Sequence, residues 1–353
     1  MIENAFYTQE MHGPFEIFDI GDMTLEEGGT IRGCKLAVAT HGTLNATKDN
    51  AILVPTWFSG TNKIMEQVYI GPGRALDPQQ YFIIVINQIG GGLSSSPHNT
   101  AAPANMVRFP PVRIGDDVRA QHKLVTEIFG IDELALVFGA SMGAQQTYEW
   151  AVRYPQMVKR AAALAGTARN TDHDRLFTQT LMDAITSDHN WRDGWYKSGD
   201  DVHIGLRRHA ALWSVMGWCP EFYKRELWRG VGFSSVQDFQ TNFMEGYFLP
   251  MDPNDLLCMA WKWQRGDVSR LARGDLAAAL GRITAKTFVM PITSDMFFVP
   301  ADCADEQALI AGSELRPIES HCGHFGLVGI EATFTEQVDH HLGDLLAADL
   351  SSH

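Results

Sequence analysis

Leu134-Ala135-Leu136-Val137-Phe138-Gly139-Ala140-Ser141-Met142-Gly143 decides how the rest of the chain is read. An apolar run of strand length meets Gly-x-Ser-x-Gly, and Ala144-Gln145-Gln146-Thr147-Tyr148-Glu149-Trp150-Ala151 continues it with the character of a helix. Between strand and helix the chain must reverse within about two or three residues. A side chain at either flanking glycine would collide with the neighbouring strand or helix. The serine between them is forced into a strained backbone conformation with its hydroxyl exposed. The following helix directs its N-terminal dipole and free N–H groups at the same place, which suits a centre where negative charge develops. The five-residue pattern alone says little; in this context it marks Ser141 as a candidate nucleophile.

The 353 residues allow two domains, or one large core carrying an insertion. Hydrophobic content of 45% and charged content of 20% are those of a globular protein with a sizeable core. A net charge of −14, from 28 basic and 42 acidic residues, disfavours nucleic acid and anionic membrane as partners. No apolar run reaches the roughly eighteen residues that a membrane-spanning helix needs. Met1-Ile2-Glu3-Asn4-Ala5-Phe6-Tyr7 has neither a basic n-region nor an apolar h-region, so a cytoplasmic location is expected. Cys34, Cys219, Cys258, Cys303 and Cys322 are scattered and form no Cys-x-x-Cys pair, which argues against disulfides and a zinc site. His340 and His341 read as lacking the carboxylate spacing of a metal site, and no metal is expected.

Outward from the central stretch, apolar runs alternate with helical ones. Residues 15–23 and 33–40 read as early strands, followed by Ala51-Ile52-Leu53-Val54-Pro55 and Tyr81-Phe82-Ile83-Ile84-Val85-Ile86. The Gly/Ser-rich loop 87–97 matches no phosphate-binding pattern. Residues 115–129 have helical periodicity, and Arg160-Ala161-Ala162-Ala163-Leu164-Ala165-Gly166 reads as another strand. Such alternation predicts an α/β fold with a mostly parallel sheet covered on both faces. From about 170 to 282 only helical segments follow, and they hold Trp191, Trp195, Trp213, Trp218, Trp228, Trp261 and Trp263. The sheet resumes at residues 287–292. A helix is expected near 302–311, a last strand at 313–320 and a C-terminal helix at 333–347. The expected division is therefore a sheet core of residues 1–169 and 283–353, with a helical cap at 170–282.

This arrangement resembles the α/β-hydrolase fold, in which the catalytic order along the chain is Ser, then Asp or Glu, then His. A serine hydroxyl needs a base, and the base needs an acid to orient it. Asp295 follows the penultimate strand and His324 the last one, so both belong at the sheet edge that carries Ser141. Asp302 competes with Asp295 but is better placed to open a helix, and Asp295 itself has the alternative reading of an N-cap. His321 competes with His324, yet Gly323 suggests a tight turn presenting the latter ring. In this fold the oxyanion donors come from the residue after the nucleophile, Met142, and from the loop after the third strand, at about Phe58. Trp57, Gly60 and Phe325 are the expected substrate-binding residues.

Asp116-Asp117-Val118-Arg119-Ala120-Gln121, residues 141–151, Tyr154-Pro155 through Thr167-Ala168-Arg169, Ser294-Asp295-Met296-Phe297-Phe298-Val299-Pro300 and Gly323-His324 resemble the homoserine O-acetyltransferase family. The resemblance implies an acyl-serine intermediate, the triad Ser141, Asp295 and His324 and, as often in that family, a homodimer; no cofactor is expected. Two departures bear on substrate. That family usually follows its histidine with an Asp that helps hold the amino group of homoserine, and here Phe325 follows. Its usual His-Ala-Leu-Thr-Gly loop is replaced by Thr56-Trp57-Phe58-Ser59-Gly60. An apolar ring cannot neutralise an ammonium, so burying that charge beside it would be costly. The pattern looks more like the family's hydrolase-type relatives. The expected activity is hydrolysis of small, apolar acetyl esters. An acyl-CoA-dependent O-acyltransferase is the alternative, and a non-catalytic binding module of the same fold is a second one.

Overall fold

The computed structural model describes residues 2–350. Its main sheet has eight strands: β1 Glu16–Asp19, β2 Lys35–His41, β3 Ala51–Pro55, β4 Phe82–Ile86, β5 Leu136–Ala140, β6 Arg160–Leu164, β7 Lys286–Met290 and β8 Glu314–Leu315. They lie in the order β1-β2-β4-β3-β5-β6-β7-β8. β1 and β2 pair antiparallel, as do β2 and β4; the remaining pairs are parallel. β3 to β7 are almost continuously apolar because helices cover both of their faces. Ile114–Lys123 and Met142–Arg153 pack on one face through Val118, Tyr148 and Trp150. Asn62–Tyr69 and Ala332–Ala347 pack on the other through Met65, Tyr69, Phe334 and Leu342.

Register places the site. Ala140 pairs with Leu164, and Leu164 with Met290, so β5, β6 and β7 end level. The loops that follow them leave from one edge, as expected for a parallel sheet. Several boundaries differ from the sequence reading. The early strand expected at 15–23 stops at Asp19, and Gly21 turns with φ +76°; Met23–Thr24 then pairs with Thr30–Ile31 as a separate ribbon. The helix expected at 115–129 is α-helical over Ile114–Lys123 and widens to a π-turn over Leu124–Ile128. The helix expected near 302–311 runs over Pro300–Gln307. The strand expected at 313–320 shrinks to Glu314–Leu315 plus one bridge between Ile292 and Ile318. Arg316 and Ile318 still donate to Val289 O and Pro291 O, but Pro291 has no N–H to return to Arg316 O, which interrupts the ladder.

Between β6 and β7 every described element is helical, from Asp172–Thr186 to Leu276–Leu280. The apolar centre of this cap contains Trp213, Trp218, Trp228 and Trp263 together with Phe58, Met142, Phe297 and Phe298 from the sheet edge. The cap and the sheet edge that carries Ser141 thus share one core. Within the span expected for the cap, Val268, Ala279 and Leu280 pack in the cluster that holds Tyr148 and Trp150 of the helix after β5. At the other end, residues 2–12 reach the cap although they were expected to belong to the sheet. Tyr7 stacks on His98 at 5.0 Å, and its hydroxyl accepts the N–H of Asp252 at 3.3 Å. Gly92, at φ +101°, leaves room for that ring, since a Cβ there would stand 2.1 Å from it. Replacing Tyr7 by Ala is expected to lower unfolding free energy by about 2–4 kcal/mol in urea titration; an unchanged midpoint would mean the N-terminal segment braces nothing.

Lys262, in the cap helix Pro253–Gln264, is fully buried against the sheet domain. Its ammonium donates to Ile89 O at 2.6 Å, to Gln88 Oε1 at 3.3 Å and to the Asp117 carboxylate. Asp117 also accepts the N–H of Ile89 at 2.8 Å. Loop 87–97 is therefore a structural joint between sheet and cap. Its own Ser94 and Ser96 hydroxyls are spent on backbone groups of the loop and of β2. All five cysteines are free. Among the described residues, no helix is long and apolar enough to cross a membrane.

Candidate active site

The turn after β5 has the geometry that its glycines require. Ser141 sits at φ 56°, ψ −124°, outside the ordinary regions for a residue with a side chain. A Cβ at Gly139 would stand 2.0 Å from Gly143 O, and one at Gly143 would stand 2.6 Å from Pro55 O. The second of these lets the start of the helix Met142–Arg153 close on the end of β3.

Ser141 Oγ lies 2.9 Å from His324 Nε2, and His324 Nδ1 lies 2.6 Å from Asp295 Oδ2. All three residues are buried, at 5%, 4% and 5% exposure. A carboxylate only accepts, so Nδ1 carries the imidazole proton and the Nε2 lone pair faces the serine hydroxyl. Asp295 Oδ1 accepts the N–H groups of Phe297 and Phe298 at 3.1 and 3.2 Å. Asp295 is not a helix N-cap, since Val299 holds that position for Pro300–Gln307; Oδ1 closes a short turn and Oδ2 holds the histidine. Gly323, at φ +61°, passes beneath the cap where a Cβ would stand 2.7 Å from Cys219 N. Its N–H donates to Ser294 Oγ at 3.0 Å. The competitors lie elsewhere. Asp302 is in the first turn of Pro300–Gln307, and His321 is exposed with its N–H turned to Glu331.

Among the described residues, no acceptor takes the N–H of Phe58 or of Met142. The loop 56–60 that carries Phe58 is held from several sides. Thr56 N–H donates to Ile86 O, and Thr56 O accepts from Gln88 Nε2 at 2.5 Å. Tyr247 OH donates to Ser59 O at 3.2 Å from the cap. Phe58 and Trp57 point apart. Phe58 joins the cap aromatics, 5.6 Å from Trp213. Trp57 belongs to the opposite core cluster, 6.5 Å from Tyr69, and Gly60 lies against its indole. Trp57, with Gly60 against its ring, braces the loop from beneath. Phe325 does face the cap, stacked 5.0 Å from Trp218 and 5.6 Å from Trp213, with its N–H donating to Gly217 O.

Phe297 and Phe298 were not singled out from sequence, although Asp295 with two N–H groups two and three residues on is a recognisable Asx signature. Trp213 and the fully buried His209 were missed because cap aromatics carry no positional code. One reason given against a metal was wrong: Asp344 stands at i+4 from His340, and donor atoms of His340, His341 and Asp344 lie within 4.8 Å of one another. Arg316 places a guanidinium 3.4 Å from the same Asp344 carboxylate, which opposes a cation there.

The alpha/beta hydrolase fold family model matches residues 52–329. The chain belongs to the α/β-hydrolase fold family. Within that family it is similar to the ethyl acetate hydrolase of Pseudomonas veronii, 61% identical over 345 residues that cover 98% of this chain and 99% of that one. An acetylester hydrolase structure from Corynebacterium glutamicum superposes with a TM-score of 0.98 at 56% identity, covering 99% of this chain and 100% of that one. The homoserine O-acetyltransferase of Thermobifida fusca is 32% identical over 356 residues, covering 92% of this α/β-hydrolase and 91% of that protein. This α/β-hydrolase is an enzyme of the esterase kind.

Proposed function

We propose that the enzyme hydrolyses short-chain acetate esters through an acyl-serine intermediate. The observation that carries the reading is the unbroken hydrogen-bonded series from Ser141 through His324 to Asp295. His324 Nε2 takes the hydroxyl proton as Ser141 Oγ bonds to the ester carbonyl carbon. Asp295 stabilises the imidazolium that forms. The N–H groups of Phe58 and Met142 receive the oxyanion. Collapse of that intermediate breaks the bond to the alkoxy oxygen, which leaves with the proton from His324. Water then adds to the acyl-serine by the same steps in reverse, and acetate departs.

Water rather than an amino alcohol fits the acceptor side. Phe325, the residue after the histidine, packs its ring between Trp213 and Trp218, so that position offers no carboxylate to neutralise an ammonium. The similarity to the homoserine O-acetyltransferase keeps the transferase alternative worth a direct test. In a pH-stat with ethyl acetate, the purified enzyme is expected to release one acid equivalent per ester without added cofactor. With acetyl-CoA, thiol release is expected to be the same with and without homoserine. Release that depends on homoserine would overturn the hydrolase assignment in favour of the transferase.

A further inference from the structure

A buried imidazole is costly unless both of its nitrogens are used. His209, fully buried in the cap helix His203–Met216, uses both. Its Nδ1–H donates to Leu181 O at 3.1 Å, and its Nε2 accepts the indole N–H of Trp213 at 3.0 Å, one turn further along the helix. Burial pushes its pKa down to about 4, so the ring stays neutral and able to accept that bond. The Trp213 indole is held by this bond in one orientation.

In that orientation Trp213 lies 5.6 Å from Phe58 of the oxyanion loop, 5.9 Å from Phe297 of the acid loop and 5.6 Å from Phe325 of the histidine loop. Trp263 lies nearly parallel to it at 5.8 Å. Phe297 in turn lies 4.3 Å from the His324 ring. Among the described residues, no other cap ring meets all three loops. The direction of the reaction assigns the ground beneath it. In the tetrahedral intermediate one substituent points to the oxyanion donors and the leaving oxygen points to His324. The acyl chain takes the remaining direction and stays on Ser141 until water arrives. A group retained through both half-reactions belongs on the enclosed side. There Phe58, Trp213, Trp263 and Phe297 are each 7% exposed or less, whereas Phe325 is only partly buried.

We propose that Trp213 sets the acyl-chain limit of this enzyme, admitting a two-carbon acyl group and excluding longer ones, with His209 as the residue that positions it. The proposal rests on the ester-hydrolase reading above and adds the residue that selects among esters.

The test compares kcat/KM for p-nitrophenyl acetate, butanoate and hexanoate in the wild type, Trp213→Ala, Trp213→Phe, His209→Leu and His209→Gln, with melting followed in parallel. Trp213→Ala is expected to lower the acetate-to-hexanoate ratio by on the order of 100-fold, since each methylene excluded by a pocket is worth about 10-fold or more. Trp213→Phe, which keeps much of the bulk, is expected to move the ratio the same way by less, and it decides the matter if the alanine variant does not fold. His209→Leu removes the acceptor and is expected to shift the ratio by about 10-fold through KM for the longer esters, whereas His209→Gln restores an acceptor and returns the ratio toward wild type. An unchanged ratio in folded Trp213 variants, an equal loss on all three esters, or a wild type that takes hexanoate as readily as acetate would overturn the proposal. A wild type that hydrolyses none of the three would instead overturn the esterase reading itself.

Discussion

Ser141→Ala is expected to lower kcat for p-nitrophenyl acetate by on the order of 10⁶-fold, to near the background rate, with an unchanged melting temperature. The size follows from the relay acting as a unit: without the oxygen, His324 has no proton to take and no covalent intermediate forms. The fold should survive, because the turn is held by backbone groups. Ser141 N–H donates to Leu164 O at 2.9 Å, and Ser141 O accepts from Ala144 and Gln145. Alanine meets the same strain at φ 56° that serine already tolerates. Labelling by a fluorophosphonate should disappear in the same variant. A folded Ser141→Ala enzyme that still turns over acetate esters would remove the nucleophile from the mechanism and leave only the fold.

The second large effect lies away from the chemistry. Asp117→Asn is expected to cost about 3–5 kcal/mol of unfolding free energy, read from the guanidinium midpoint, because it leaves the Lys262 ammonium buried without a counter-charge. The pair has side-chain exposures of 0% and 1%, so water cannot compensate. Burial pushes the Asp117 carboxyl up, and Lys262 is the cation that opposes this. Activity should fall as well, since Lys262 holds Gln88 and Gln88 holds Thr56 at the foot of the oxyanion loop. Replacing both partners at once, Asp117→Leu with Lys262→Met, should recover much of the stability. A single variant with a wild-type midpoint would show that the cap is not locked to the sheet through this pair.

The parts of the site that were legible in advance share one property: each is tied to a strand end by a short stretch of chain. Ser141 follows β5 directly, Asp295 follows β7 by five residues, and Gly323 marks the turn before His324. Which way a side chain points is not legible in the same manner. Trp57 and Phe58 are neighbours with similar apolarity, and nothing local distinguishes the one that braces the loop from the one that enters the cap. Likewise, nothing local says that Ala279 and Leu280, in the alanine-rich helix Leu276–Leu280, pack with Tyr148 and Trp150. The last strand is shorter than its apolar pattern suggests because Pro291, on the facing strand, cannot donate to Arg316 O.

Local chemistry along the chain determined the strand–turn–helix around Ser141, the parallel sheet and the strand ends that bring Ser141, Asp295 and His324 together. These depend on backbone sterics, apolar periodicity and the topology of consecutive units, all of which act over short separations. Only the tertiary structure decided that the cap and the reactive edge share one aromatic core, that Lys262 joins them to Asp117, and that Trp213 is pinned by His209 above three catalytic loops. Those contacts join residues far apart in the chain, and burial gives them their strength. Neither their existence nor their orientation is encoded in any single stretch.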